Sequence, residues 1–197
     1  MLPKQWRNIL EFGSKKIFEK YEPLIVDILL FGSVERGKEQ PNDLDILIIF
    51  KKQKNLAIAQ ELRKQITAKI AVPIQITTKT YEELFQSSFV IRESILSEGY
   101  SLVYKHSFAE GLGYSSRALC VYQLTGKDKS TRMRFYYSLY GRTTRGMLEE
   151  LEATKYTDTV ILCPIKNIER LREYLTSWDI TFQVIPVLLP QRLFSSG

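Results

Sequence analysis

The 197-residue sequence predicts an α+β protein of two units, and three observations carry that expectation. Segments with helical apolar spacing and short β-branched runs share the chain, neither class dominating. The pattern lapses into a polar, glycine-containing stretch at 105–113, which reads as a linker. A composition of 44% hydrophobic and 12% aromatic residues provides enough apolar material for packed cores and does not suggest disorder.

The elements follow in order. Trp6, Ile9, Leu10, Gly13, Ile17 and Phe18 recur at helical spacing, giving a helix over 3–20 that stops before Pro23. Ile25 to Phe31 and Asp43 to Phe50 read as strands around a loop rich in glycine, proline, asparagine and charge. Residues 54–70 form a second amphipathic helix through Leu56, Ala59, Leu62, Ile66 and Ile70, and a short strand covers 73–77. Thr80 with Glu83 completes a capping box for a helix reaching Leu96, and 100–104 closes the first unit as a strand. In the second unit the expected elements are a strand at 118–124 and a helix capped by Ser130 that ends at Gly141. A helix at 144–153, a strand at 159–163, a helix at 167–178 and a strand at 180–189 complete it. The expected domains are 1–106 and 107–197, the second a small basic α+β unit.

Two cysteines, Cys120 and Cys163, and one histidine, His106, leave no zinc site to build, and both thiols are expected buried and reduced. The N-terminus lacks an apolar signal core and the run Ile46 to Phe50 is far too short to span a bilayer. A soluble cytoplasmic protein is expected, with no membrane partner. A net charge of +6 makes an anionic partner plausible but says nothing about fold.

Chemistry concentrates in the first unit. Asp43 and Asp45 stand two apart on a predicted strand, so both carboxylates leave one face of the sheet and can share a metal. Among Leu44, Ile46 and Leu47, a divalent cation is a natural way to keep two carboxylates charged. Gly32 lets backbone approach a phosphate closely, and the Ser33 hydroxyl with nearby N–H groups can donate to its oxygens. As plain structure, Asp43 and Asp45 would be a solvated pair at a strand start and Gly32-Ser33 an ordinary turn.

Phe31-Gly32-Ser33, nine residues, then Asp43-Leu44-Asp45 resembles the signature of the DNA polymerase β superfamily, closest to its minimal nucleotidyltransferases. Arg36-Gly37, Asn42 to Leu47 and the segment Phe89 to Tyr104 extend the resemblance over about residues 10–105. It implies a polymerase β-like domain with a short mixed sheet flanked by helices. Gly32, Ser33 and Arg36 would bind the phosphates of a nucleoside triphosphate, most simply ATP. Asp43 and Asp45 would be catalytic and hold Mg²⁺. The acceptor would be a hydroxyl of a protein, RNA or small molecule, with release of pyrophosphate.

One position departs from the family pattern. The third carboxylate aligns with Gln75, which can coordinate through its amide oxygen but carries no charge and cannot act as a base. Glu82 or Glu83 could substitute from another direction, although both suit the first turn of a helix. Arg36 and Lys38 are loop cations able to meet phosphate or simply to be solvated.

Between Arg117 and Gly146 seven cations face one acid, Asp128, and aromatic residues interleave with them. That mixture makes Arg132, Arg134 and Arg142 a candidate nucleic-acid patch. Phe135 and Leu139, four apart, read instead as core. A helix-turn-helix hinged at 141–143 is the other arrangement, weakened by Glu149, Glu150 and Glu152. Three functional classes follow: an active nucleotidyltransferase, a catalytically degenerate nucleotide-binding protein that keeps the fold, and a nucleic-acid-binding module. The residues favour the first.

Overall fold

The computed structural model describes residues 5–193, so positions 3 and 4 of the first expected helix lie outside the described residues. The chain divides into two compact units, Met1–Gly113 and Tyr114–Gly197.

The first unit is built on a four-stranded mixed sheet. In chain order it contains α1 (Trp6–Tyr21), β1 (Ile25–Phe31), β2 (Leu44–Phe50), α2 (Leu56–Thr67), β3 (Ile74–Thr80), α3 (Arg92–Glu98), β4 (Tyr100–Ser101) and α4 (Phe108–Gly111). The strand order is β3-β2-β1-β4, with β2 and β3 parallel and the other pairs antiparallel. Both faces of β1 and β2 are covered, which explains why their sequences are nearly continuous apolar runs. Ile28, Leu30, Leu44, Ile46 and Ile48 pack with Leu10, Ile17, Leu62 and Ile66 of α1 and α2. On the opposite face Leu29, Phe31, Leu47 and Ile49 pack with Leu84, Phe89 and Ile95. The period of two therefore puts Asp45 on the second face, in the row of Leu47 and Ile49.

The single helix expected over 80–96 is not formed. The capping box is present, with Thr80 N–H donating to Glu83 Oε2 at 2.8 Å and Glu83 N–H to Thr80 Oγ1 at 3.2 Å. It caps only a 3₁₀ turn, Glu82–Phe85, after which Gln86 takes an extended conformation. The chain then turns Phe89 into the core beneath β1 and β2, and α3 begins at Arg92. Burial of that ring outweighs helix continuation. The strand expected at 100–104 keeps only Tyr100 and Ser101, and residues 107–113 belong by contact to the first unit, not the second. Phe108 N–H bonds to Gly99 O and Ser101 N–H to His106 O, which holds this segment against β4.

The second unit has β5 (Tyr114–Gln123), α5 (Lys129–Tyr140), α6 (Met147–Glu150), β6 (Thr154–Thr157), β7 (Val160–Pro164), α7 (Ile168–Ser177) and β8 (Thr181–Pro190). Its sheet is antiparallel, ordered β6-β7-β5-β8. Phe135, Leu139, Leu171 and Leu175 of the helices pack with Ala118, Cys120, Ile161 and Cys163 of the sheet. Both cysteines are buried free thiols, their pKa values pushed up by burial to about 11 for Cys120 and about 12 for Cys163.

Asp128, not Ser130, caps α5, its carboxylate accepting Thr131 N–H at 2.7 Å. Gly141 ends the helix at φ 79°, where a Cβ would stand 2.4 Å from Thr144 O. The helix expected over 144–153 shrinks to four residues. Glu152 turns left-handed at φ 53° and Ala153 N–H reaches back to Leu148 O, a terminating geometry that frees the next residues to pair with β7 as β6. A four-residue α6 cannot serve as a recognition helix, so the helix-turn-helix arrangement is absent.

Candidate active site

β1 ends in Phe31, which is paired with Asp45 across the β1–β2 ladder, and the chain leaves the sheet at Gly32. Gly32 has φ 87°, and a Cβ there would lie 2.7 Å from Asp45 Oδ2. The turn that follows closes on itself: Glu35 N–H donates to Gly32 O, Gly37 N–H to Val34 O and Lys38 N–H to Ser33 O. Gly32 and Asp45 thus meet where β1 ends and β2 begins, in the middle of the sheet, with Asp43 two residues before Asp45. Lys38 is exposed.

Electrostatics tie the acids together. Asp45 is half-buried, and its pKa is raised first by desolvation and then by the charge of Asp43, with Arg36 opposing both. Two mutually repelling carboxylates beside a glycine turn are hard oxygen donors of the kind that Mg²⁺ takes. A divalent cation would relieve the repulsion, so the donor chemistry fits such an ion. Among the described residues no group of three or more acidic, histidine or cysteine side chains gathers, so the set is two carboxylates with an amide beside them.

That amide is Gln75. The parallel register places it beside Asp45, and its side chain donates from Nε2 to Asp43 Oδ2 at 2.6 Å. The N–H rather than the oxygen faces the carboxylates; ligation by Gln75 requires the amide to turn over. Glu83 does not replace the missing acid. Its carboxylate takes Lys54 Nζ at 2.7 Å and the Thr80 N–H.

Arg36 lies close enough to Asp45 to lower its pKa and bonds Glu98 Oε2 through Nη1 at 2.8 Å. Glu98 is 8% exposed and ends α3, so this ion pair anchors the turn after β1 to that helix. A neighbouring pair does the same toward α1: Arg7 Nη2 meets Glu35 Oε1 at 2.7 Å, and the Arg7 guanidinium lies 5.0 Å from the Trp6 ring and 4.8 Å from the Tyr100 ring. Burial raises the Glu35 pKa against the pull of Arg7. Glu98, Glu35 and Arg7 were not among the residues singled out from sequence. The available signal for Glu98 was its place in the Phe89 to Tyr104 segment that carries the family resemblance.

The second-unit candidates each have a separate partner. Arg132 Nε donates to Lys127 O, Arg134 Nη2 to Thr131 Oγ1, and the Arg142 guanidinium lies over the Tyr137 ring. All three are exposed. No helix among the described residues is long and apolar enough to cross a membrane.

Comparison with known proteins adds to this geometry. Residues 14–107 match the family model described as Polymerase beta, Nucleotidyltransferase. A solved structure described as "Crystal structure of the toxin-antitoxin with AMP-PNP" is similar at 22% identity over 47% of this chain and 71% of that one, with a TM-score of 0.36. No curated protein matches the chain at a significant level.

Proposed function

We propose, from the premise that residues 14–107 form a nucleotidyltransferase domain of the polymerase β superfamily, that the protein moves a nucleoside monophosphate from a nucleoside triphosphate to an acceptor hydroxyl. Domains of this kind usually use divalent metals, and Mg²⁺ with ATP is the pairing we propose, inside the cell. The observation that supports the reading is the closeness of Asp45 to both Asp43 and Gly32, where β1 ends and β2 begins. Bound there, the cation supplies charge neutralisation at phosphate oxygens.

Asp43 and Asp45 hold the cation. Gly32 gives the triphosphate room against the backbone, and the Ser33 hydroxyl donates to a phosphate oxygen. Arg36, held by Glu98, contributes positive charge at the rim of the turn. In the transfer, the acceptor oxygen bonds to the α-phosphorus, the bond from that phosphorus to the α,β-bridging oxygen breaks, and pyrophosphate leaves. The acceptor proton passes to solvent, because Gln75 cannot take it. Turnover is therefore slow.

The test is pyrophosphate release from each of the common nucleoside triphosphates with Mg²⁺, against a protein, RNA or small-molecule acceptor. Release that disappears in Asp43→Ala, Asp45→Ala supports the transferase; release that persists in that variant contradicts it. The Gln75 to Asp43 hydrogen bond supports a second reading, a nucleotide-binding protein of the same fold without turnover. That reading expects nucleotide binding with no pyrophosphate release.

A further inference from the structure

We infer that one face of the second unit, made by the C-terminal half of α5, the loop at 141–146 and strand β6, binds single-stranded RNA. The inference stands apart from the transferase site. It begins with what α5 fails to bury. Only Phe135 and Leu139 of its twelve residues are buried, while Tyr137 and Tyr140 stay 43% and 39% exposed.

Each of those rings carries a cation. The Arg142 guanidinium carbon lies 5.0 Å from the Tyr137 centroid, and Lys155 Nζ of β6 lies 5.6 Å from the Tyr140 centroid. Tyr136 stacks on Tyr140 with centroids 5.9 Å apart and planes at 19°. Arg134 stands three residues before Tyr137, on the same side of the helix. All four residues of β6 are exposed, Tyr156 among them. Exposed rings flanked by cations offer stacking faces for bases and charge for the intervening phosphates.

Acidic neighbours decide which cations carry the phosphate contacts. Asp158 holds Lys155 at 2.6 Å and Glu149 holds Arg145 at 3.1 Å, so those charges are partly offset. Arg142 lies over the Tyr137 ring, and Arg134 turns back to Thr131 Oγ1 at 3.2 Å near Asp128; neither forms an ion pair with a carboxylate among the described residues. With α6 only four residues long, no helix-turn-helix is available to enter a major groove, which favours a single strand over a duplex. Thr143 and Thr144, exposed beside Arg142, supply hydroxyls that suit the 2′-OH of RNA.

The experiment titrates the full chain into a fluorescein-labelled RNA single strand about ten nucleotides long and reads anisotropy at several salt concentrations. Tyr137→Ala with Tyr140→Ala should weaken binding about tenfold or more. Arg134→Ala with Arg142→Ala should reduce the magnitude of the slope of log affinity against log salt by about 1.4. Lys51→Ala with Lys52→Ala, which removes the same charge from the first unit, should leave affinity within about twofold. Should the ring variant fail to fold, the arginine variant still decides. No binding, equal weakening by the Lys51 and Lys52 changes, or equal affinity for a DNA strand of the same sequence or for a duplex would overturn the inference.

Discussion

The carboxylate of Asp45 lies so close to Gly32 that a Cβ on Gly32 would stand 2.7 Å from Asp45 Oδ2. The glycine that opens the turn after β1 is thereby fixed twice, by φ 87° and by the acid packed against it. Gly32→Ala should cost about 1–2 kcal/mol in a denaturant melt from backbone strain. It should also displace Asp45 and abolish the stabilisation that Mg²⁺ with nucleotide confers. A variant that kept full metal-dependent stabilisation would contradict the account.

Gln75→Asp replaces a hydrogen-bond donor to Asp43 with a third carboxylate. Without metal the new charge repels its neighbours, and the melting temperature should fall. With Mg²⁺ it should recover by more than in the wild type, because a third acidic ligand tightens the site and ligand binding adds to stability. Equal Mg²⁺ shifts in the two proteins would show that Gln75 does not border the cation.

Asp27 sits 5% exposed in β1, its Oδ1 accepting Ile28 N–H at 2.7 Å and the Ser101 hydroxyl at 2.8 Å. Burial is the largest influence and pushes its pKa up to about 6, against those hydrogen bonds and the charge of His106. An acid with a raised folded pKa binds more protons in the native state than in the unfolded chain. Its contribution is full below the ordinary carboxylate range and is lost as pH rises through about 6. Asp27→Asn keeps an oxygen to accept both bonds and should flatten that dependence, gaining up to about 2 kcal/mol at neutral pH. Urea melts at about pH 4 and about pH 7.5 check it. An unchanged pH profile would remove Asp27 as its cause.

Phe135 is the hub of the second core, 1% exposed and in ring contact with Tyr122, Tyr174 and Trp178. Phe135→Ala should destabilise the second unit by about 3–5 kcal/mol. A loss under about 1 kcal/mol would place the ring outside the core.

Much of the first unit was legible because β1 and β2 are buried on both faces, and residues so placed must be apolar throughout. Asp43 and Asp45 stood out against that background, and the register then put Gln75 beside Asp45. What escaped depends on partners distant in sequence. Glu98 matters through Arg36, sixty-two positions away, and Asp27 through Ser101. The break at Gln86 follows from where Phe89 packs, which local propensity does not contain. β6 was missed because Thr154 to Thr157 is exposed throughout, with no apolar alternation, and becomes a strand only by pairing with β7.

The most direct measurement of the central claim is the melting temperature of the full chain with a nucleoside triphosphate, with and without Mg²⁺, in the wild type and in Asp43→Ala, Asp45→Ala. The account predicts a rise of several degrees that needs both ligands and vanishes in the double variant. A nucleotide shift that is the same without Mg²⁺, or that survives loss of both carboxylates, would contradict it.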